Sequence, residues 1–133
     1  ASLRAGGAHP QLPGGKPGLA VALGGVGLTL NDLVQLYAGL ANGGAGQPLV
    51  WQRGKDQSSP KRMMSRVSAW QVGHILASVT PPKGSAARLG QLAYKTGTSY
   101  GHRDALALGY DGQHVMVFGW VALMEHPYQG RWR

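Results

Sequence analysis

Cysteine is absent from the 133 residues, so neither a disulfide scaffold nor a thiolate metal site is available. That absence leaves the compartment open, because many exported proteins also lack Cys. Acidic residues are scarce: five Asp and Glu stand against thirteen Lys and Arg, a net charge of +8. Such an imbalance draws polyanions. The basic residues are scattered, however, with Lys61-Arg62 and the nearby Arg53 and Lys55 the densest group. No nucleic-acid recognition module accompanies them, so nucleic acid is not an expected partner. No run approaches the ~20 apolar residues of a membrane span. No basic-then-apolar signal segment opens the chain, and its first residue is Ala rather than Met, which suggests a start other than a natural N-terminus.

What is present is an ordinary soluble composition, 43 % hydrophobic, at a length suited to one modest domain with a core of its own. Residues 1–28 are rich in Gly and Pro and read as loop and turns, with a short extended piece at 19–23. Thr29 reads as a helix N-cap, and Asp32 three residues on completes an acidic capping box. Leu30, Leu33, Val34, Tyr37, Leu40 and Ala41 follow at helical spacing as one apolar stripe. Asn42-Gly43-Gly44 ends that helix.

Residues 48–52 read as a short strand. A second helix is expected after Ser65, with Ala69, Val72, Ile75, Leu76 and Val79 as its buried face and Pro81-Pro82 as its stop. Three strands are expected at 92–98, 105–110 and 113–121. Asp111-Gly112 reads as a two-residue hairpin turn between the last two. The order predicts an α+β fold, helices packed on an antiparallel sheet.

Lys95-Thr96-Gly97-Thr98 closes the first of those strands. Lys holds a fixed positive charge, and Thr hydroxyls can donate to a substrate carboxylate. Gly97 lets a ligand approach the backbone. The backbone N–H that follows can point at a developing oxyanion, the donor geometry that acyl transfer needs. Three letters alone are a weak signal; a solvated strand edge would look the same.

The surroundings sharpen it. The run from Tyr94 to Gly101, followed by Arg103-Asp104-Ala105, resembles class A (bifunctional) penicillin-binding proteins. So do the Leu-Gly-Gly loop at Leu23-Gly24-Gly25, the helix leading into Asn42-Gly43-Gly44, and the Ala69-Trp70-Gln71-Val72 helix. The resemblance runs over residues 1–116, in the family's order and spacing. It implies the C-terminal part of a β-lactamase/transpeptidase-like fold that cross-links peptidoglycan through a serine acyl-enzyme. The implied partners are peptidoglycan stem peptides and β-lactam antibiotics, at the periplasmic face of the bacterial inner membrane. No cofactor and no metal are implied. Carried over, Lys95, Thr96, Gly97 and Thr98 bind substrate, and the Thr98 backbone N–H is half of the oxyanion hole. Arg103 and Asp104 fit better as a structural ion pair.

The nucleophile is expected to be absent. The family's serine lies in Ser-x-x-Lys at a helix start, far upstream of the Leu-Gly-Gly loop. No Ser-x-x-Lys is read at Ser58, Ser59, Ser65, Ser68 or Ser78, and Ser-x-Asn does not occur. The chain alone is therefore expected to be inactive. The membrane anchor and glycosyltransferase domain of the family are not represented either. The alternatives are a non-catalytic truncated remnant and a basic polyanion-binding module.

The tail, 117–133, departs from the family. Back-translated with suitable synonymous codons and shifted by two nucleotides near Val115 to Phe118, it reads VWVGRPDGTPVSG, the expected family ending. The tail is thus read as out of frame. The five histidines (His9, His74, His102, His114, His126) are dispersed and read as structural or solvated, with His102 a variable loop residue near the Lys95 strand. The glycines match neither a phosphate loop nor a dinucleotide fingerprint.

Overall fold

The computed structural model describes residues 2–15, 18, 19, 21, 24–52, 58–81, 83–86, 88–98 and 104–121. The first part is mostly turns, as its composition implies, but it opens on a one-turn helix, α1 (Ser2–Ala5). The expected extended piece at 19–23 is corrected where it can be seen. Val21 N–H donates to Gly18 C=O at 3.1 Å and Gly24 N–H to Val21 C=O at 3.2 Å, which makes successive turns. Gln11 and Gly27 then exchange two backbone bonds of 2.9 Å, closing the segment on itself.

Helix α2 (Leu30–Ala41) forms with the capping box that its first residues predict. Asp32 N–H donates to Thr29 Oγ1 at 3.1 Å, and Thr29 N–H donates to Asp32 Oδ2 at 3.0 Å. At the far end Gly43 and Gly44 both take positive φ, 62° and 84°, a conformation that glycine enters without a Cβ clash. The buried positions are not the expected apolar ones. Asp32, Gln35 and Gly39 are buried, whereas Leu30 is 51 % exposed.

Polar reach explains the inversion. Gln35 donates through Nε2 to Gly6 C=O at 2.8 Å and accepts Leu49 N–H on Oε1 at 3.3 Å. Asp32 Oδ1 accepts His9 N–H at 3.0 Å. The bonds to Gly6 and His9 satisfy backbone groups that the turns of the first segment leave open, and the third satisfies Leu49 beyond the helix. Close glycine packing completes the joint. A Cβ at Gly46 would lie 2.6 Å from Gly6 Cα, and Met63 Sδ fills the space left beside Gly6, Gly39 and Gly46.

The strand expected at 48–52 is not there. The pairing occurs just before it, between β1 (Ala45–Gly46) and β2 (Lys61–Arg62), antiparallel. Pro48 has no N–H for a ladder, and the Leu49 N–H is taken by Gln35. Helix α3 (Arg66–Ala77) starts after Ser65, as expected, with Ser65 as its N-cap: its Oγ accepts Ser68 N–H at 3.0 Å. It stops at Ala77, four residues before Pro81. Ser78 caps it through an Oγ bond to Ile75 C=O, and Gly90 N–H takes the Ala77 carbonyl. Of its expected buried face only Ala69 is buried, at 3 % exposure, while Ile75 is 65 % exposed.

Strands β3 (Ala93–Thr98), β4 (Asp104–Tyr110) and β5 (Val115–Val121) form one antiparallel sheet in that order, as expected. Tyr110 pairs with Val115, so the connection holds four residues rather than two. Asp111 sets that length. Its Oδ1 accepts Gln113 N–H at 2.7 Å and His114 N–H at 2.6 Å, and Asp111 N–H closes the loop on His114 C=O.

A Cβ at Gly119 would meet Leu106 and, from α2, Leu30. The register therefore puts Lys95, Gly97, Leu106, Leu108 and Gly119 on the helix-covered face. Tyr94, Thr96, Thr98, Met116, Phe118 and Trp120 lie on the other face. There Met116 is 71 %, Phe118 67 % and Trp120 56 % exposed. Among the described residues the buried apolar set is Ala8, Ala69, Ala93 and Leu108, and none of their large side chains is fully buried. The architecture, helices on an antiparallel sheet, is α+β as the element order predicts.

Candidate functional site

Strand β3 is the edge of the three-stranded sheet, paired with β4 on one side and with no strand on the other among the described residues. Its first residue, Ala93, is buried, and exposure begins at Lys95 and continues through Thr98. Tyr94 anchors the strand by donating its hydroxyl to Thr80 C=O at 2.6 Å. An exposed strand edge offers a row of free backbone donors and acceptors to an extended ligand.

The four residues singled out from the sequence do not all share a face. Thr96 and Thr98 pair with Ala107 and Ala105 on the open face, so their hydroxyls stand two residues apart on one side. Lys95 pairs with Leu108 and projects toward the opposite face. Its ammonium donates back to the Thr96 carbonyl. Among the described residues nothing lies within 4 Å of where a Gly97 Cβ would be, so they leave the backbone there open to approach. Asp104 opens β4. The expected Arg103–Asp104 pair has its Arg103 outside the described residues, where His102 and His126 also lie.

The absent serine motif needs one correction. By letter the chain does hold a Ser-x-x-Lys, Ser58-Ser59-Pro60-Lys61. Its conformation is wrong for the chemistry. On a helix, residues three apart face each other at about 5–6 Å. Here Pro60 restricts Ser59 to extended backbone, and Lys61 already lies in β2. Three extended steps separate the ends by roughly 10 Å. Ser58 and Lys61 are both exposed, and the Ser58 carbonyl accepts from Gln47 Nε2 at 3.0 Å.

The remaining histidines are placed. His9 Nδ1 lies 3.6 Å from Asp32 Oδ1, His74 stacks on Trp70, and His114 Nδ1 is 3.4 Å from Asp111 Oδ2. Both carboxyl groups are held below the ordinary range. For Asp32 the Thr29 backbone N–H is the main cause, and for Asp111 the Gln113 backbone N–H. Sequence reasoning missed Asp32 and Gln35 as the anchors of the first segment. Two polar residues in a helix stripe otherwise read as apolar were the available signal.

Comparison with known proteins agrees with this architecture. The family model described as the penicillin binding protein transpeptidase domain matches residues 12–127. Penicillin-binding protein 1C of Escherichia coli (strain K12) is 38 % identical over 119 residues. That match covers 87 % of this chain, and the chain spans 15 % of the relative's length. The chain therefore belongs to the penicillin-binding protein transpeptidase domain family.

Proposed function

We propose that this chain supplies the substrate-binding strand of a peptidoglycan D,D-transpeptidase of the class A type, and that it stands in the C-terminal part of that domain. The observation that carries the reading is the exposed edge of β3 at Lys95-Thr96-Gly97-Thr98, unpaired on its outer side among the described residues. An extended stem peptide, or a β-lactam in its place, adds to that edge as a strand. The Thr96 and Thr98 hydroxyls hold its carboxylate, and the Lys95 charge attracts it. The Thr98 backbone N–H donates to the oxyanion of the tetrahedral intermediate. The nucleophile comes from elsewhere in a longer polypeptide, so the 133-residue chain alone forms no acyl-enzyme.

By the same reading residues 1–116 are transpeptidase, and 117–133 are an out-of-frame tail. The longer protein works at the periplasmic face of the inner membrane, held by an anchor outside these residues. Among the described residues no helix is long and apolar enough to cross a membrane.

Fluorescent penicillin tests the assignment. The 133-residue chain should show no covalent label after denaturing electrophoresis. A longer polypeptide carrying a helical Ser-x-x-Lys should be labelled, and Lys95→Ala in it should slow acylation about 100-fold. Stable label on the short chain, or an unaffected Lys95→Ala rate, would sink the reading. The coding DNA tests the tail: a shifted frame that does not encode VWVGRPDGTPVSG removes the frameshift.

A further inference from the structure

Helix α3 turns Ala69, Gly73 and Ala77 toward the sheet at four-residue intervals, so its inner face carries almost no side-chain bulk. The Tyr110 hydroxyl takes up part of that space: a Cβ at Gly73 would lie 2.6 Å from it. What remains is a groove of about 420 Å³ between α3, the end of α2 and the Asp111 loop. That is within the ~300–1,000 Å³ range of ligand pockets. It lies at the Ala93 end of β3, five residues from Thr98, roughly 17 Å along the strand.

The groove's two charged walls do not pair with each other. Asp111 commits one oxygen to Gln113 N–H and His114 N–H, and the other faces His114 Nδ1. The Arg66 side chain, at the mouth, makes no hydrogen bond or ion pair among the described residues. Its Cγ and Nε sit 3.8 and 3.9 Å from where a Gly43 Cβ would be. Arg62 approaches the same turn, donating to Gly43 C=O at 2.8 Å. The result is an uncommitted Arg66 guanidinium at a turn that a second arginine also contacts. Next to Arg66, Trp70 is 68 % exposed and stacks on His74, with ring centroids 5.3 Å apart and planes 11° apart. A guanidinium with a flat aromatic wall suits a carboxylate followed by a short chain that lies along the ring.

We propose that this groove binds a carboxylate-bearing peptide, in this family the stem peptide of peptidoglycan, at a position separate from the Lys95 strand. The ligand carboxylate bonds Arg66, its chain lies against Trp70 and His74, and the Tyr110 hydroxyl donates from the floor. The identity of the peptide rests on the proposed function; the site and its carboxylate preference do not.

Titration of the 133-residue chain, followed by the Trp70 indole and His74 ring NMR signals, tests it. The probes are a stem pentapeptide with a free C-terminal carboxylate, the same peptide as its C-terminal amide, and an N-acetylglucosamine disaccharide. The acid should shift both signals saturably, and the amide should bind at least about tenfold more weakly. Arg66→Gln should weaken the acid at least about tenfold. Trp70→Leu, at an exposed position, should weaken it too while thermal unfolding stays unchanged. Lys95→Ala should leave these shifts as they are.

Equal affinity for acid and amide, an unaffected Arg66→Gln, a disaccharide-only response or no response would each overturn the proposal. Loss with Lys95→Ala but not Arg66→Gln would overturn it while leaving the Lys95 reading standing. A failed penicillin-labelling experiment beside intact Arg66-dependent binding would do the reverse.

Discussion

Helices α2 and α3 are both twelve residues long and both start on a hydroxyl N-cap, yet they are held in opposite ways. Helix α2 is tied down by polar side chains. Asp32 and Gln35 are buried at 4 % and 5 % exposure and satisfy backbone groups of the first segment and of Leu49. Helix α3 meets the rest of the chain through small residues such as Ala69 and Gly73 and through the Gly90 N–H bond to the Ala77 carbonyl. It leaves Val67, Trp70 and Ile75 each about two-thirds exposed. Order in this chain therefore comes from satisfied hydrogen bonds and close glycine contacts more than from large buried side chains. Exposed apolar faces of the α3 kind mark contact surfaces.

The comparison is broken most severely at Gln35. Replacing it with Ala strands the Gly6 carbonyl in a buried position and the Leu49 N–H in a half-buried one. Each orphaned group costs about 1–3 kcal/mol, so Gln35→Ala should cost about 3 kcal/mol in urea unfolding. A cost under about 1 kcal/mol would mean that the polar anchor is ornamental. Asp32 should come next. Its carboxyl is held below the ordinary 3.8 by the Thr29 and His9 bonds. A depressed folded-state value means that the stabilisation is fully present above the unfolded value and fades as pH falls through the folded one. Wild-type stability should thus decline below about pH 4. Asp32→Asn should start about 1–2 kcal/mol lower at pH 7 and show a shallower acid limb. Parallel acid limbs for the two proteins would remove Asp32 from the account.

Ser65→Ala removes the α3 cap, a bond to Ser68 N–H that is exposed. About 1 kcal/mol is expected, read as lost helical signal before the main unfolding transition. If Ser65→Ala instead costs as much as Gln35→Ala, α3 is as integral as α2, and the contrast between them fails.

The Thr29–Asp32 cap and the start of α3 after Ser65 were legible in the sequence because such signals are local, needing only a few residues of context. The sheet was legible through alternation and turn residues. Its hairpin loop was not, because the Asp111 carboxylate recruits two N–H groups and lengthens a two-letter turn signal to four residues. The strand at 48–52 failed for a non-local reason, since Gln35 on another element claims the Leu49 N–H. Ser58-Ser59-Pro60-Lys61 shows the converse, a letter pattern without the helix that gives it meaning. Around Lys95 the strand and its exposure could be read. The opposite facing of Lys95 and the two threonines needed the register to fix which side the helices cover.

The smallest effect is also the most discriminating. Ile75 lay on the buried face that helical spacing predicts for α3, yet it is 65 % exposed. Ile75→Gln should therefore change the stability of this chain by no more than about 0.5 kcal/mol, the range of ordinary surface substitutions. A true core isoleucine truncated or made polar costs about 2–5 kcal/mol, so the two cases are well separated in a single urea titration. A large loss would show that the chain buries Ile75 in solution, by self-association or by closure of α3, and dilution distinguishes these. A loss that shrinks as protein concentration falls identifies a second copy as the cover. A concentration-independent loss identifies movement of α3 itself, which would also close the groove beside Arg66 and Trp70.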